Sequence, residues 1–345
     1  MSSQSKEWIL TGCSGLDDLK TRTVRTPPLG SFDVLVKMKA LSLNHRDVVL
    51  ALGLYPLPWT KDVVVGSDGS GEVIQVGEQV TKFKAGDRVA TSFYQNHESG
   101  PLTVTAAQSA LGSLKDGAFR EYAVIPEQGL VPVPEGYTWR QAASLTCTAV
   151  TAWNALFGDK KTVAGDTVLI QGTGGVSLFA LEFAKAVGAT VIAVTSSDEK
   201  AKLLKVMGAN EVVNYTEFPE WGSKVKELSK NGEGVDIILD IAGGKTLLQS
   251  LGSVKLGGVV TLIGIHDGFN PVEWPSILQI LVHGCTVRAI AAGSRAQFQE
   301  LVECINTHAI EPVLDNQVFQ FNDMKAAYAY LLTKKHMGKI VIDVE

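Results

Sequence analysis

The stretch TVLIQGTGGVSLFALEFAKAVGA (167–189) constrains this chain more than any other. A β-branched apolar run meets a glycine-rich turn, which opens onto small and apolar residues at helical spacing, so strand, tight turn and helix are expected in succession. Gly172 and Gly174 allow the backbone to turn sharply and to approach a ligand, and the unpaired N–H groups at the start of the helix suit a pyrophosphate. The third glycine of G-x-G-x-x-G is replaced by Ser177. Tight connections use the same glycines without any ligand, so the context decides. From Asp166 onward apolar strands alternate with amphipathic helices: TVLIQG (167–172), TVIAVT (190–195), EVVNY (211–215), VDIILDI (235–241), VVTLIGI (259–265) and TVRAIA (286–291). FALEFAKAVG, DEKAKLLKVMG, SKVKELSKNG and KTLLQSLGSVKLGG lie between them, each ending in a glycine suited to a helix C-cap. The fold class is therefore α/β, with a doubly wound parallel sheet.

The second strand of that series ends in Thr195-Ser196-Ser197, where an NAD site usually carries an acidic residue for the ribose hydroxyls. No carboxylate at that corner repels a 2′-phosphate, and Lys200 follows one helical turn later. A solvated lysine at a helix start is the plain alternative. The neutral corner points to NADP(H) as cofactor.

The first 150 residues have another texture: DVLVKMKAL, DVVVGSDGSGEVIQVGEQV, GDRVATSF and REYAVIPEQGLVPVP predict an antiparallel β region with one or two short helices. TWRQAASLTCTAVTAWNALF (138–157) then reads as helix, and the tail as helix followed by a closing strand, GKIVIDV. With 345 residues, 45% hydrophobic and 19% charged, the chain can form two cores. A formal charge of −5 without any Lys/Arg run excludes a dedicated nucleic-acid or anionic-membrane surface, leaving small molecules as the expected partners. Cys13, Cys147, Cys285 and Cys304 are far apart and form no C-x-x-C, so neither a disulfide framework nor a thiolate cage is expected. The absence of a signal h-region, lipidation signal or membrane-spanning run predicts a cytoplasmic protein.

Taken together, SLNHRD (42–47), GSDGSGEVIQVG (66–77), AGDRV (85–89), GTGGVSLFALEFAK (172–185), SSDEK (196–200), NY (214–215) and GKIVI (338–342) resemble the medium-chain dehydrogenase/reductase superfamily, and most of all its zinc-free quinone-oxidoreductase-like branch. The resemblance implies a GroES-like β-rich catalytic domain over 1–148, completed by 293–345, and a Rossmann NADP(H)-binding domain over 149–292, with the coenzyme in the cleft between them. It places Gly172, Thr173, Gly174, Gly175 and Val176 at the pyrophosphate, and Ser196, Ser197, Lys200 and Tyr215 around the 2′-phosphate. Thr151, Ile241, Gly264, Ile265 and Gly293 would meet the nicotinamide side, and Lys339, near the cleft, and Asn44 would be further coenzyme contacts.

In zinc-dependent relatives a cysteine, a histidine and a second cysteine hold the catalytic metal. The matching positions here are Asn44, Ser67 and Cys147, which cannot replace two thiolates and an imidazole. The stretch of about residues 90–115, where a structural zinc would need four cysteines, has none and reads as a loop over the substrate entrance. No metal is expected.

Asn44, Tyr55 and His45 are the candidate catalytic residues, the first two because the matching Asn and Tyr line the pocket in quinone-oxidoreductase relatives. The amide would orient ribose hydroxyls or the substrate oxygen. The phenol would donate a hydrogen bond or a proton, or else simply pack over the pocket. His45 reads as a phosphate donor, a proton shuttle or a structural histidine, Arg46-Asp47 as a local pair, and Cys147 as a packed thiol. Trp59, Phe93, Tyr94, Trp153 and Trp274 are possible pocket walls. The expected activity is zinc-independent hydride transfer from NADPH to an α,β-unsaturated carbonyl or a quinone. Reduction of a simple carbonyl and non-catalytic NADPH binding stand as alternatives. The edge strand TVRAIA is expected to pair with its two-fold mate in a homodimer.

Overall fold

Parallel strands need both faces covered, and the runs between Thr167 and Ala289 are apolar enough to be buried on both sides. The computed structural model describes residues 4–264 and 274–344 and divides into two units, one of residues 1–150 with 293–345 and the other of residues 151–292.

In the second unit six strands form one parallel sheet in the order Glu211–Asn214, Thr190–Thr195, Thr167–Gln171, Val235–Asp240, Val254–Leu262 and Thr286–Ala289. The order reverses between Thr167–Gln171 and Val235–Asp240, the switch point at which doubly wound sheets bind ligands. On one face Leu169, Ile192, Val194, Val213, Trp221 and Val225 pack with Ile238, Leu247 and Leu251. One expectation fails here. KTLLQSLGSVKLGG is not helical throughout: the helix is Gly244–Ser253, and Val254 already belongs to the strand that runs to Leu262. The expected 259–265 strand stops at Leu262, before Ile263 and Gly264, and Ile265 lies outside the described residues.

The first unit is antiparallel for the most part. Its larger sheet runs Leu314–Gln320, Lys339–Asp343, Asp33–Ser42, Asp68–Val76, Arg88–Thr91 and Leu130–Pro132, with Tyr122–Pro126 also paired to Asp33–Ser42. Leu19–Arg25, Gln4–Leu10 and Val63–Val64 form a smaller sheet. Leu10, Met38, Leu41, Leu50, Phe119, Tyr328 and Ile342 fill the core. The stretch read as an entrance loop holds one short helix, Val104–Ala107, capped by Thr103. Among the described residues no helix is long and apolar enough to cross a membrane.

Candidate active site

Strand register assembles the first part of the site. Asp33–Ser42 lies between Lys339–Asp343 and Asp68–Val76, with Ser42 opposite Val341 on one side and Asp68 on the other. Continuing the antiparallel register by two residues sets Lys339 across from Asn44. Lys339 Nζ donates to Leu43 O at 2.7 Å, Asn44 Oδ1 at 2.6 Å and Asp68 Oδ2 at 3.4 Å. All three of its N–H bonds are thus committed within its own unit, which suits a residue that positions Asn44 better than one that contacts coenzyme. Asp68 also accepts from Ser67 Oγ at 2.7 Å and from the Cys147 backbone N–H at 3.3 Å. The lysine and aspartate side chains are 3% and 0% exposed, a buried pair with its remaining valences filled.

These contacts bear directly on a metal. Asn44 Oδ1 faces an ammonium, Ser67 Oγ donates its hydrogen bond to Asp68, and burial, followed by the nearby Asp68 carboxylate, pushes the Cys147 thiol up to about 12. A neutral thiol, an alcohol and an amide oxygen beside a fixed cation do not suit Zn²⁺. Among the described residues no group of three or more His, Cys, Asp or Glu side chains could hold a metal ion.

Asn44 caps the helix His45–Ala51 in an extended conformation, and its backbone N–H donates to Asp47 Oδ2 at 2.9 Å. Because Oδ1 is held by Lys339, the amide presents Nδ2, which is buried and unpartnered. Arg46, on the first turn, donates through Nη1 to Leu111 O at 2.8 Å and lies 3.7 Å from Asp47 Oδ1. Its guanidinium carbon is 4.8 Å from the Phe93 ring centre and 5.5 Å from that of Tyr55, so Tyr55 packs at the cation as well as against the core. Tyr94 meets Phe93 edge-on at 4.8 Å. Burial raises the Asp47 carboxyl to about 6 despite Arg46. Burial, helped by Lys334 and His336, holds the half-buried His45 below the usual imidazole range. Asn44, His45, Tyr55, Cys147 and Lys339 therefore belong to one unit, together with two residues whose part sequence reasoning missed, Arg46 and Asp68. The signal for Asp68 was its place beside Ser67; nothing in the sequence marked it as the partner of Lys339.

The second unit gathers most of the residues expected to hold coenzyme. Gly172 has φ of 74°, a value that favours glycine, and it ends the strand before the turn. A Cβ built on Gly174 would meet no atom within 4 Å, so packing inside the protein does not demand glycine there. The helix Gly175–Ala186, which includes Val176, starts behind Gly174 with no side-chain cap, while Ser177 Oγ turns inward to Gln171 O at 2.5 Å. An open helix start beside a cradle of this kind fits a pyrophosphate. Thr173 is buried in the turn. At the next strand end Ser197 caps the helix Asp198–Val206, its Oγ accepting from the Lys200 N–H at 3.3 Å, and Tyr215 N donates to Thr195 O at 2.9 Å. Ser196, Ser197, Lys200 and Tyr215 thus share one corner. Asp198, in the same turn, accepts from Asn214 Nδ2 at 3.0 Å.

Across the switch point, Ile241 N donates to Gln171 Oε1 at 3.2 Å. Asp240 ties down the following turn by accepting from Gly243 N at 2.9 Å and from Ser250 Oγ at 2.7 Å. A Cβ on Gly243 would come within 3.2 Å of Gly264 O and 3.0 Å of Trp274, which places Gly264 and Trp274 at this turn. Thr151 is buried at the start of the unit, and Trp153 packs on Phe157 and Phe183 as core. Gly293 belongs to the first unit, against Val150 and Gln297, and Trp59 packs on that unit's core.

A doubly wound sheet with an open pyrophosphate cradle, joined to a β-rich unit carrying a buried polar cluster, defines a nicotinamide-dinucleotide-binding dehydrogenase. Comparison with known proteins agrees. The alcohol dehydrogenase GroES-like domain matches residues 30–135 and the zinc-binding dehydrogenase domain residues 175–307. A zinc-type alcohol dehydrogenase-like protein of Schizosaccharomyces pombe is 42% identical over 337 residues, 96% of this chain and 97% of its own. A quinone oxidoreductase of Pseudomonas aeruginosa is 34% identical over 255 residues, 74% of this chain and 71% of its own. A Sinorhizobium meliloti 1021 protein, provisionally assigned as an alcohol dehydrogenase, superposes with a TM-score of 0.91 at 37% identity over all of both chains. The chain belongs to the medium-chain dehydrogenase/reductase superfamily and is an oxidoreductase of that family.

Proposed function

We propose that this oxidoreductase uses NADPH to reduce an α,β-unsaturated carbonyl compound or a quinone, without zinc. The observation that carries the reading is the Lys339 ammonium on Asn44 Oδ1, at a residue that the resemblance matches to a zinc ligand, which leaves Asn44 Nδ2 as a buried donor without a partner. When bound, the reduced coenzyme supplies a hydride equivalent. Asn44 Nδ2 and the Tyr55 hydroxyl are the donors we assign to the substrate oxygen as it gains negative charge. Conjugate reduction spreads that charge over an enolate, which neutral donors in a desolvated site can hold. The aromatic walls, Phe93 and Tyr94 among them, suit an apolar substrate. The quinone oxidoreductase among the relatives supports this reading. The test is NADPH oxidation with a panel of enones, quinones and aliphatic aldehydes. Turnover of enones or quinones well above aldehydes is expected; the reverse order would replace the proposal with reduction of simple carbonyls, the reading that the alcohol dehydrogenase-like relative favours.

For the coenzyme, Gly172 to Val176 would hold the pyrophosphate, Thr151, Ile241 and Gly264 the nicotinamide side, and Ser196, Ser197, Lys200 and Tyr215 the 2′-phosphate. Lys200 and the lack of a carboxylate at Thr195 support NADPH over NADH. We also assign a homodimer in which Thr286–Ala289 meets its two-fold mate. That strand is the edge of the described sheet, and the nearby helix Ile277–His283 leaves Ile277, Leu278, Leu281 and Val282 exposed. Light scattering that returned a stable monomer at micromolar concentration would remove this assignment. A cytoplasmic setting fits the four cysteines, all of them free.

A further inference from the structure

Arg46 has a polar edge that the described protein leaves unused. Nη1 donates to Leu111 O and lies 3.7 Å from Asp47 Oδ1, itself without a hydrogen-bond partner, and the Tyr55 hydroxyl acts on the guanidinium's charge, whereas Nε and Nη2 are buried with no hydrogen-bond partner. A guanidinium cannot escape that cost by losing its proton, so two orphaned donors on it weigh against stability unless something outside the chain satisfies them. Two residues earlier, Asn44 Nδ2 is orphaned in the same way. Buried polar groups are nearly always paired, and three unpaired donor atoms on one helix cap and its first turn mark a place prepared for an acceptor. The surroundings select the kind of acceptor. Phe93 and Tyr55 flank the guanidinium, and Cys147, close enough to act on its charge, is a neutral thiol. Asp47, the carboxylate paired with Arg46, sits on the Nη1 side.

We propose that the Nε–Nη2 edge of Arg46 binds the substrate oxygen on which negative charge develops, making Arg46 a catalytic residue. This rests on the reading of the chain as a reductase and adds a charged donor to the two neutral ones assigned above. As hydride brings its electron pair to the β-carbon, the C=C pair moves to form the new double bond to the carbonyl carbon. The C=O π pair then settles on oxygen, where two guanidinium N–H groups hold it together with the Asn44 and Tyr55 donors. Arg46 keeps its protons, and solvent supplies the one added at the α-carbon. With a simple aldehyde the same edge would hold the alkoxide oxygen.

The experiment uses the full chain with NADPH, 2-cyclohexenone and butanal, and compares it with its Arg46→Gln and Arg46→Lys variants. On whichever compound the unaltered protein reduces, Arg46→Gln is expected to lower kcat about 10²–10³-fold, with KM changed only a few-fold and NADPH binding, followed by fluorescence, unchanged. Arg46→Lys keeps the charge without the fork and is expected to lose at least about tenfold. If the glutamine variant fails to fold by circular dichroism, the lysine variant decides. A readout independent of turnover is the absorbance of 4-nitrophenolate titrated with protein and NADP⁺ at pH 8. Binding is expected in the unaltered protein and at least about tenfold weaker in the variants. Wild-type kcat in a folded variant, or phenolate binding that is absent or unaffected by the substitutions, would overturn the role of Arg46. Butanal turnover without cyclohexenone turnover would overturn only the enone reading.

Discussion

The Nζ of Lys339 lies 2.6 Å from Oδ1 of Asn44, so a residue near the C-terminus decides which way an amide near residue 44 faces. Replacing Lys339 by Met should leave the Asp68 charge buried without its cation. Breaking a buried pair from one side costs about 3–5 kcal/mol, or a fall in Tm of about 10 °C on a domain of this size. Asn44→Ala should lower kcat/KM for the preferred substrate about 10²-fold. Because the lysine acts through the amide, the activity losses of the two substitutions should not add in the double variant. A double-mutant cycle on kcat/KM checks this.

Chelation offers a second test. With Asn44 and Ser67 at the positions of two zinc ligands, prolonged dialysis against EDTA should leave activity and Tm unchanged. Elemental analysis of the purified protein should find well under one zinc per chain. One tightly held zinc, lost together with activity, would show that the cluster around Lys339 rearranges to bind metal.

Lys200 is the next test. A charge-assisted contact to a 2′-phosphate is worth about 1.5–3 kcal/mol, roughly ten- to a hundredfold in affinity. Lys200→Ala should weaken NADPH by that factor and leave NADH nearly untouched, as read by coenzyme fluorescence titration. Equal weakening of both coenzymes would remove the lysine from the phosphate.

Asp47 should make stability depend on pH. Arg46, Asp68, Lys339 and Tyr328 all face it, yet burial still raises its carboxyl from the ordinary 3.8 to about 6 in the folded chain. The folded state therefore holds this proton more tightly than the unfolded state. The stabilising contribution is complete below about 3.8 and is lost as pH rises through about 6, which amounts to a loss on the order of 1 kcal/mol between pH 5 and 7. Thermal melts across that range should show the decline from this group in the unaltered protein and its absence in Asp47→Asn, whose amide oxygen still accepts from the Asn44 N–H.

Much of the fold could be read in the sequence because parallel strands buried on both faces leave unbroken apolar runs, and because the helices Gly175–Ala186 and Asp198–Val206 are each followed within two residues by a glycine of positive φ, Gly188 and Gly208. The Val254–Leu262 strand was the exception. Its first residues, VKLG, continue the helical spacing of KTLLQSLGS, and Lys255, Leu256 and Gly257 lie outside the sheet core, so no apolar run announced the change. The glycine turn and the Ser196–Lys200 corner were legible because their chemistry is local. The polar cluster was not. Asp68 and Lys339 are separated by 271 positions and meet only through strand register, and the importance of Arg46 comes from two atoms that lack partners, which a sequence does not show.

The arrangement of the first unit also sets an order of events during synthesis. Residues 151–292 form one uninterrupted segment, so that unit can complete its sheet while the rest of the chain is still being made. The first unit cannot, because its inner strand Lys339–Asp343, between Leu314–Gln320 and Asp33–Ser42, is made only after the whole of residues 151–292. Until then Ser42 and Leu41 lack one of their two neighbouring strands, and Asp68 lacks its cation. The polar cluster therefore closes only after the whole second unit has been made, and a chain stopped before Lys339 would carry a finished parallel-sheet unit attached to an unfinished one.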